Sequence, residues 1–103
     1  MAAQILQINL KYNVPTADLK NAFASVADQI AATPGLRWKV WLLDEKEQAA
    51  GGIYLFDDAA SVQAYLEGPI VAGIMAHPAL SDISAKVFDV IGDLTKVTRG
   101  PVS

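Results

Sequence analysis

Along this chain the spacing of apolar residues switches period in an order that few folds satisfy. Gln4–Tyr12 alternates, with Leu6, Ile8, Leu10 and Tyr12 on one face and Gln7, Asn9 and Lys11 on the other, the pattern of a half-buried strand. Leu19, Phe23, Val26, Ala27 and Ile30 then recur at helical spacing. Pro15 and Thr16 open that helix, with Thr16 the expected N-cap and Asp18 favouring the dipole; Thr33-Pro34-Gly35 closes it. Leu36–Leu43 and Ala50–Phe56 return to strand spacing and are joined by the polar run Asp44–Gln48, which predicts an antiparallel hairpin. Asp57 or Asp58 is placed to cap a second helix that carries Val62, Tyr65 and Leu66 inward and stops at Gly68. Pro69 opens a short third helix to about Ala76, stopped by Pro78. Ile83–Val90 is the last strand, and Gly92–Ser103 is a tail with a helical turn around Leu94 and Val97.

Strand–helix–strand–strand–helix–strand is the ferredoxin-like βαββαβ order of the α+β class. It implies a four-stranded antiparallel sheet with helices on one face only. Along three of the strands, Trp41, Leu43, Tyr54, Phe56, Phe88 and Val90 are expected on one side, opposite Trp38, Val40, Leu42, Ile53, Leu55 and Val87. Both sets are large and apolar, so the face turned away from the helices needs a cover. A homodimer through that open face is the simplest one, since two-fold dimers dominate among soluble oligomers. The tail from Gly92 is a further element that can reach across such a dimer. Gly51-Gly52 inside a strand predicts a bulge or a close approach to the backbone. The whole chain, 1–103, reads as a single domain, with no repeat or linker.

Composition removes several function classes. Hydrophobic residues make up 52% and charged residues 18%, which excludes a disordered chain and fits apolar surface buried by a partner. The net charge is −3, against a role in neutralising phosphates. The third strand also lacks the leading base of an RNA-recognition strand, and Ile53 stands at a stacking position in Ala49-Ala50-Gly51-Gly52-Ile53-Tyr54-Leu55-Phe56. No nucleic-acid partner is therefore expected. There is no Cys and one His, which removes thiolate chemistry and leaves no evident metal set. No serine sits on a Gly-x-Ser-x-Gly elbow. The longest apolar run, Ile70 to Ala76, falls far short of the roughly 20 residues that span a membrane, and the N-terminus has no basic leader. A cytoplasmic protein without membrane contact is expected.

Few side chains remain for chemistry. His77 is the one group whose ordinary pKa suits base work near neutrality, although its place before Pro78 at a helix end also suits simple dipole stabilisation. Tyr54 is a candidate donor to an oxyanion or a substrate phenol, or else a core tyrosine. Trp38, Trp41 and Phe88 complete the candidate substrate-binding aromatics, with core or dimer packing as the competing role. Trp38 and Trp41 are three apart on one strand, so at most one lines a given pocket. Tyr12 reads as structural. Asn9 and Lys86 lie on strand faces, where solvent or barrel-interior contact competes with ligand contact, and Asp89, beside Phe88, is placed either to orient a base or to stand as a strand-end carboxylate in water.

Several blocks taken in order carry a family resemblance. Pro34-Gly35-Leu36-Arg37-Trp38-Lys39-Val40-Trp41, Ala50-Gly51-Gly52-Ile53-Tyr54-Leu55-Phe56, Ala64-Tyr65-Leu66-Glu67 and Ala85-Lys86-Val87-Phe88-Asp89-Val90 resemble the small bacterial YdhR-type mono-oxygenases over nearly the whole chain. The resemblance implies a dimeric α+β barrel, in which two ferredoxin-like sheets meet. It also implies a cofactor-independent mono-oxygenase, using neither flavin nor metal, that oxidises a phenol- or anthrone-like aromatic with O2 in a dry pocket. No catalytic signature carries over residue by residue. The alternative is a non-catalytic domain that binds a small ligand or serves a structural dimer.

Overall fold

The structure is a computed structural model that describes residues 2–102. Strand β1 (Gln4–Tyr12) is followed by helix α1 (Thr16–Ala31), strands β2 (Leu36–Asp44) and β3 (Ala49–Phe56), and helices α2 (Ala59–Leu66) and α3 (Pro69–Ala76). Strand β4 (Leu80–Asp89) and helix α4 (Gly92–Val97) complete the chain. The four strands form one antiparallel sheet in the order β2-β3-β1-β4, the ferredoxin-like arrangement expected from the sequence. Among the described residues, no helix is long and apolar enough to cross a membrane.

The register decides which side chains are enclosed. Leu6, Ile8, Leu10 and Tyr12 point toward α1–α3, and Leu6 sits opposite Tyr54. One cluster joins Leu6, Ile8, Ile30, Tyr54, Phe56, Val62 and Tyr65; a second joins Leu10, Tyr12, Leu19 and Ala50. Three of the core rings meet directly, with Tyr65 centred 5.1 Å from Tyr54 and 5.5 Å from Phe56.

Several local expectations are corrected. Pro15, not Thr16, is the residue flanking α1, and the Thr16 hydroxyl lies 2.8 Å from that of Tyr12 instead of capping the helix. Phe88 pairs with Ile5 and Val87 with Leu6, so Phe88 lies on the open face and Val87 on the helix face, the reverse of the sequence grouping. Alternation within a strand does not say which of its faces matches which face of a neighbour; the pairing register decides that, and two irregularities modify it locally. Arg37 and Trp38 together oppose Leu55, which removes Arg37 from the Trp41 side. An extra residue in β4 falls at Asp82, whose φ is 50°, and lets the strand begin at Leu80 instead of Ile83. Val90 lies just beyond the strand.

Gly51 and Gly52 hold no bulge; both pair in regular register. They answer the other expectation, close approach. A Cβ on Gly51 would meet the Ile8 carbonyl oxygen at 2.0 Å, and one on Gly52 would meet Cε of Lys39 at 2.5 Å. Gly35, at φ 82°, turns the chain from α1 into β2, as its position after Pro34 predicts.

The open face is partly covered by the chain's own tail. The Trp38 indole donates to the Pro101 carbonyl at 2.9 Å, and Arg37 Nη1 donates to that of Val102 at 3.0 Å. Leu55 is fully buried there, whereas Val40 is 50% and Phe88 48% exposed. On α4 and the turn before it, Ile91, Leu94 and Val97 are also largely exposed.

Candidate functional site

Helices α1 and α3 do not close against each other over the sheet. Between them lies a cleft of about 470 Å³ whose walls are apolar: Leu19, Phe23 and Val26 from α1, Ile70 and Ile74 from α3, and Leu80 from β4. The sequence explains the gap. Helix α3 is short and carries Gly73, whose missing side chain leaves open space, and among its described residues none is fully buried. The volume falls within the roughly 300–1,000 Å³ typical of small-molecule sites. Polar groups sit only at the rim: Asp18, Gln29 and His77.

His77 caps the C-terminus of α3 in an extended conformation, and its Nδ1 accepts the backbone N–H of Ala79 at 3.1 Å. That bond fixes the neutral tautomer. With Nδ1 accepting, the ring proton resides on Nε2. The imidazole therefore presents a donor to whatever it meets, not the free lone pair a base requires.

Tyr54 takes a different position from the one a ligand contact demands. It is 1% exposed, it is not among the residues lining the cleft, and its hydroxyl accepts from that of Tyr65 at 3.0 Å. Burial, with the neighbouring Tyr65 adding to it, pushes its ionisation far above the ordinary tyrosine value, so the ring stays neutral. Burial likewise raises Tyr65. The candidate aromatics divide between the two sheet faces: Trp41 and Tyr54 face the helices, Trp38 and Phe88 the open side. Trp41 packs against Phe23 with centroids 5.0 Å apart, which places an indole one ring away from the cleft wall. Asn9 and Lys86 lie exposed on the open face, and Asp89 accepts from Gln4 Nε2 at 2.7 Å.

Lys39 is the group that strand periodicity does not flag. An alternate lysine on an edge strand reads as solvent-facing. Here its chain folds inward, with Nζ 3.4 Å from the Trp41 ring centre and 4.5 Å from that of Tyr54. Burial lowers the ammonium to about 7. The residue as a whole is half-buried, so the ammonium is only partly withdrawn from water, and the cation–π contact, worth about 1–2 kcal/mol, favours the charged form against that burial. The available sequence signal was Trp41 two positions along, with a glycine across the strand pair.

A second depression, about 500 Å³, lies between the end of α1 and α2. Its carboxylate, Asp58, is committed to capping α2 by accepting from Ser61 N–H at 2.8 Å, which also lowers its pKa. Among the described residues no three His, Asp or Glu side chains gather as a metal site would require.

Known structures share this architecture. The NE2512 protein of unknown function from Nitrosomonas europaea is similar over 88% of this chain and 91% of its own, at 27% identity and a TM-score of 0.74. SnoaB, a cofactor-independent oxygenase from Streptomyces nogalater, is similar over 87% and 94%, at 20% identity and a TM-score of 0.72. The heme-degrader MhuD from Mycobacterium tuberculosis, solved with two hemes bound in its active site, is similar over 84% and 95%, at 22% identity and a TM-score of 0.62. At identities this low the last two speak for the fold alone. No curated protein matches by sequence. The family described as "Putative mono-oxygenase ydhR" matches residues 5–101, a span that takes in all of the sheet but Gln4 and both walls of the cleft, and the chain belongs to that family.

Proposed function

We propose that the protein is a mono-oxygenase that oxidises a flat phenol- or anthrone-like molecule with O2, held in the cleft between α1 and α3. The observation that carries this reading is the cleft itself: an apolar slot of about 470 Å³ whose polar groups, His77 among them, stand at the rim. For an anthrone the reaction balances without any further reductant. The ring methylene becomes a carbonyl, one oxygen atom entering the substrate and the other leaving as water with the two hydrogens removed. The substrate supplies the electrons once it is an enolate. The protein's task is to exclude water and to stabilise the developing oxyanion, which the His77 Nε2–H can do by donating to it. Tyr54 then acts through packing, as a wall behind the sheet's inner layer, while Trp41 reports occupancy through Phe23.

We further propose that the protein works as a homodimer through the open sheet face, closing an α+β barrel. Half-exposed Val40 and Phe88 support this, as does the apolar surface of α4 beside them.

The test is a tryptophan-fluorescence titration of metal-stripped protein with flat phenols, quinones and anthrones, followed by oxygen-electrode assays on the molecules that bind. Saturable quenching together with O2 uptake is the expected result. Binding without uptake would replace the oxygenase by a small-ligand-binding domain. A flat response throughout would remove the small-aromatic reading and leave a structural dimer.

A further inference from the structure

We propose that Lys39 is a reactive amine that forms an imine with a small aldehyde admitted through the cleft between α1 and β2. This site is separate from the α1–α3 cleft and does not rest on the oxygenase reading. Its geometry has four parts. The lysine stem fills the space that Gly52 leaves empty, since a Cβ there would stand 2.5 Å from Cε. Nζ lies over the Trp41 and Tyr54 rings, 3.4 and 4.5 Å from their centres. Among the described residues no carboxylate lies within 4 Å of Nζ; the ion pair found is Arg37 with Asp57. The lysine also opens on a cavity of about 210 Å³, roofed by Ala27, Ile30 and Ala31 of α1, which is room for a one-ring aldehyde.

Each part serves the chemistry. A lysine becomes a nucleophile when burial without a counter-ion favours its neutral form. The groups facing this one do not reverse that. From α1 the neighbours are apolar, with Lys20 further along beside Trp41. From β3 the neighbour is Tyr54, which stays neutral. On β2 Arg37 is engaged by Asp57. Burial accordingly holds Lys39 near pH 7, where a substantial share of the amine is free. The nitrogen lone pair attacks the carbonyl carbon, two protons pass to the carbonyl oxygen, and water leaves; no oxidant or reductant is consumed. Uptake of one proton from water converts that neutral imine to an iminium, a cation placed over two aromatic faces, which favour it.

The experiment uses the wild-type chain, benzaldehyde as the probe and cyanoborohydride to fix any imine as a benzylamine, with peptide mapping by mass spectrometry. At pH 7 Lys39 is expected to acquire the label at least about tenfold faster than Lys11, Lys20, Lys46, Lys86 or Lys96. The preference is expected to shrink toward pH 10, where the other amines also become neutral. Label spread over the lysines in proportion to exposure, or confined to the N-terminal amine, overturns the proposal. So does a Lys39 preference that is unchanged between pH 7 and pH 10. Aromatic binding at the α1–α3 cleft is scored separately by fluorescence, so failure of either idea leaves the other standing.

Discussion

His77, Lys39 and Tyr54 show how one contact sets what a side chain can do. Because Nδ1 of His77 is occupied by the Ala79 N–H, the ring donates through Nε2. His77→Ala is expected to lower kcat for O2 uptake about tenfold to a hundredfold, with KM within about twofold. That is less than the loss of a fully enclosed oxyanion donor, because His77 is exposed to water. Steady-state kinetics on a bound substrate check it. Lys39 gives a pH dependence. Its folded-state pKa, about 7, lies below the ordinary 10.5, so between those values the unfolded chain binds more protons and stability rises with pH. This contribution is lost as pH falls through about 7. Urea denaturation across that window is expected to show a shallower rise for Lys39→Met than for wild type. Tyr65→Phe removes the donor to a buried hydroxyl and is expected to cost about 1–2 kcal/mol by the same method. If it costs nothing, the pair is not part of what holds the core.

At the scale of elements, glycine placement separates close packing from open space. Gly51→Ala drives a methyl into the Ile8 carbonyl at 2.0 Å, where backbone meets backbone and neither side can rotate away. It is expected to destabilise by about 2–3 kcal/mol, as overpacking does. Gly73→Ala has nothing within 4 Å and removes a flexible residue from the interior of α3. It is expected to stabilise by about 0.5–1 kcal/mol. Chemical denaturation of the pair, with opposite signs, checks both. The helix caps were only partly legible. Asp58 caps α2 as one of the two aspartates read from the sequence, while Asp57 goes instead to Arg37 at 2.6 Å. Adjacent aspartates look alike until the bulge at Arg37 brings one guanidinium to one of them.

For the molecule as a whole, the open sheet face is the unfinished surface. The tail folds back to its own sheet, where Pro101 accepts from the Trp38 indole, yet Val40 and Phe88 stay half exposed. Light scattering is expected to give twice the 11.0 kDa chain mass at micromolar concentration. Phe88→Asp is expected to shift that mass toward the monomer while far-ultraviolet circular dichroism is retained. A wild-type monomer would remove the proposed barrel.

The topology was written in the sequence because strand and helix periods are local: residues i and i+2, or i and i+4, announce a face wherever the chain goes. That gave the βαββαβ order, the hairpin around Asp44–Gln48 and the stop at Pro34-Gly35. Which residues meet across the sheet was not local. An extra residue at Arg37 and another at Asp82 shift the pairing, and a one-residue shift exchanges the faces, as it does for Arg37. The aromatic box around Lys39 needs Gly52 across the strand pair, and the hydrogen-bond sense of His77 needs Ala79 beyond Pro78. Those relations exist only once the chain is folded, because they join groups whose spacing along the sequence carries no period.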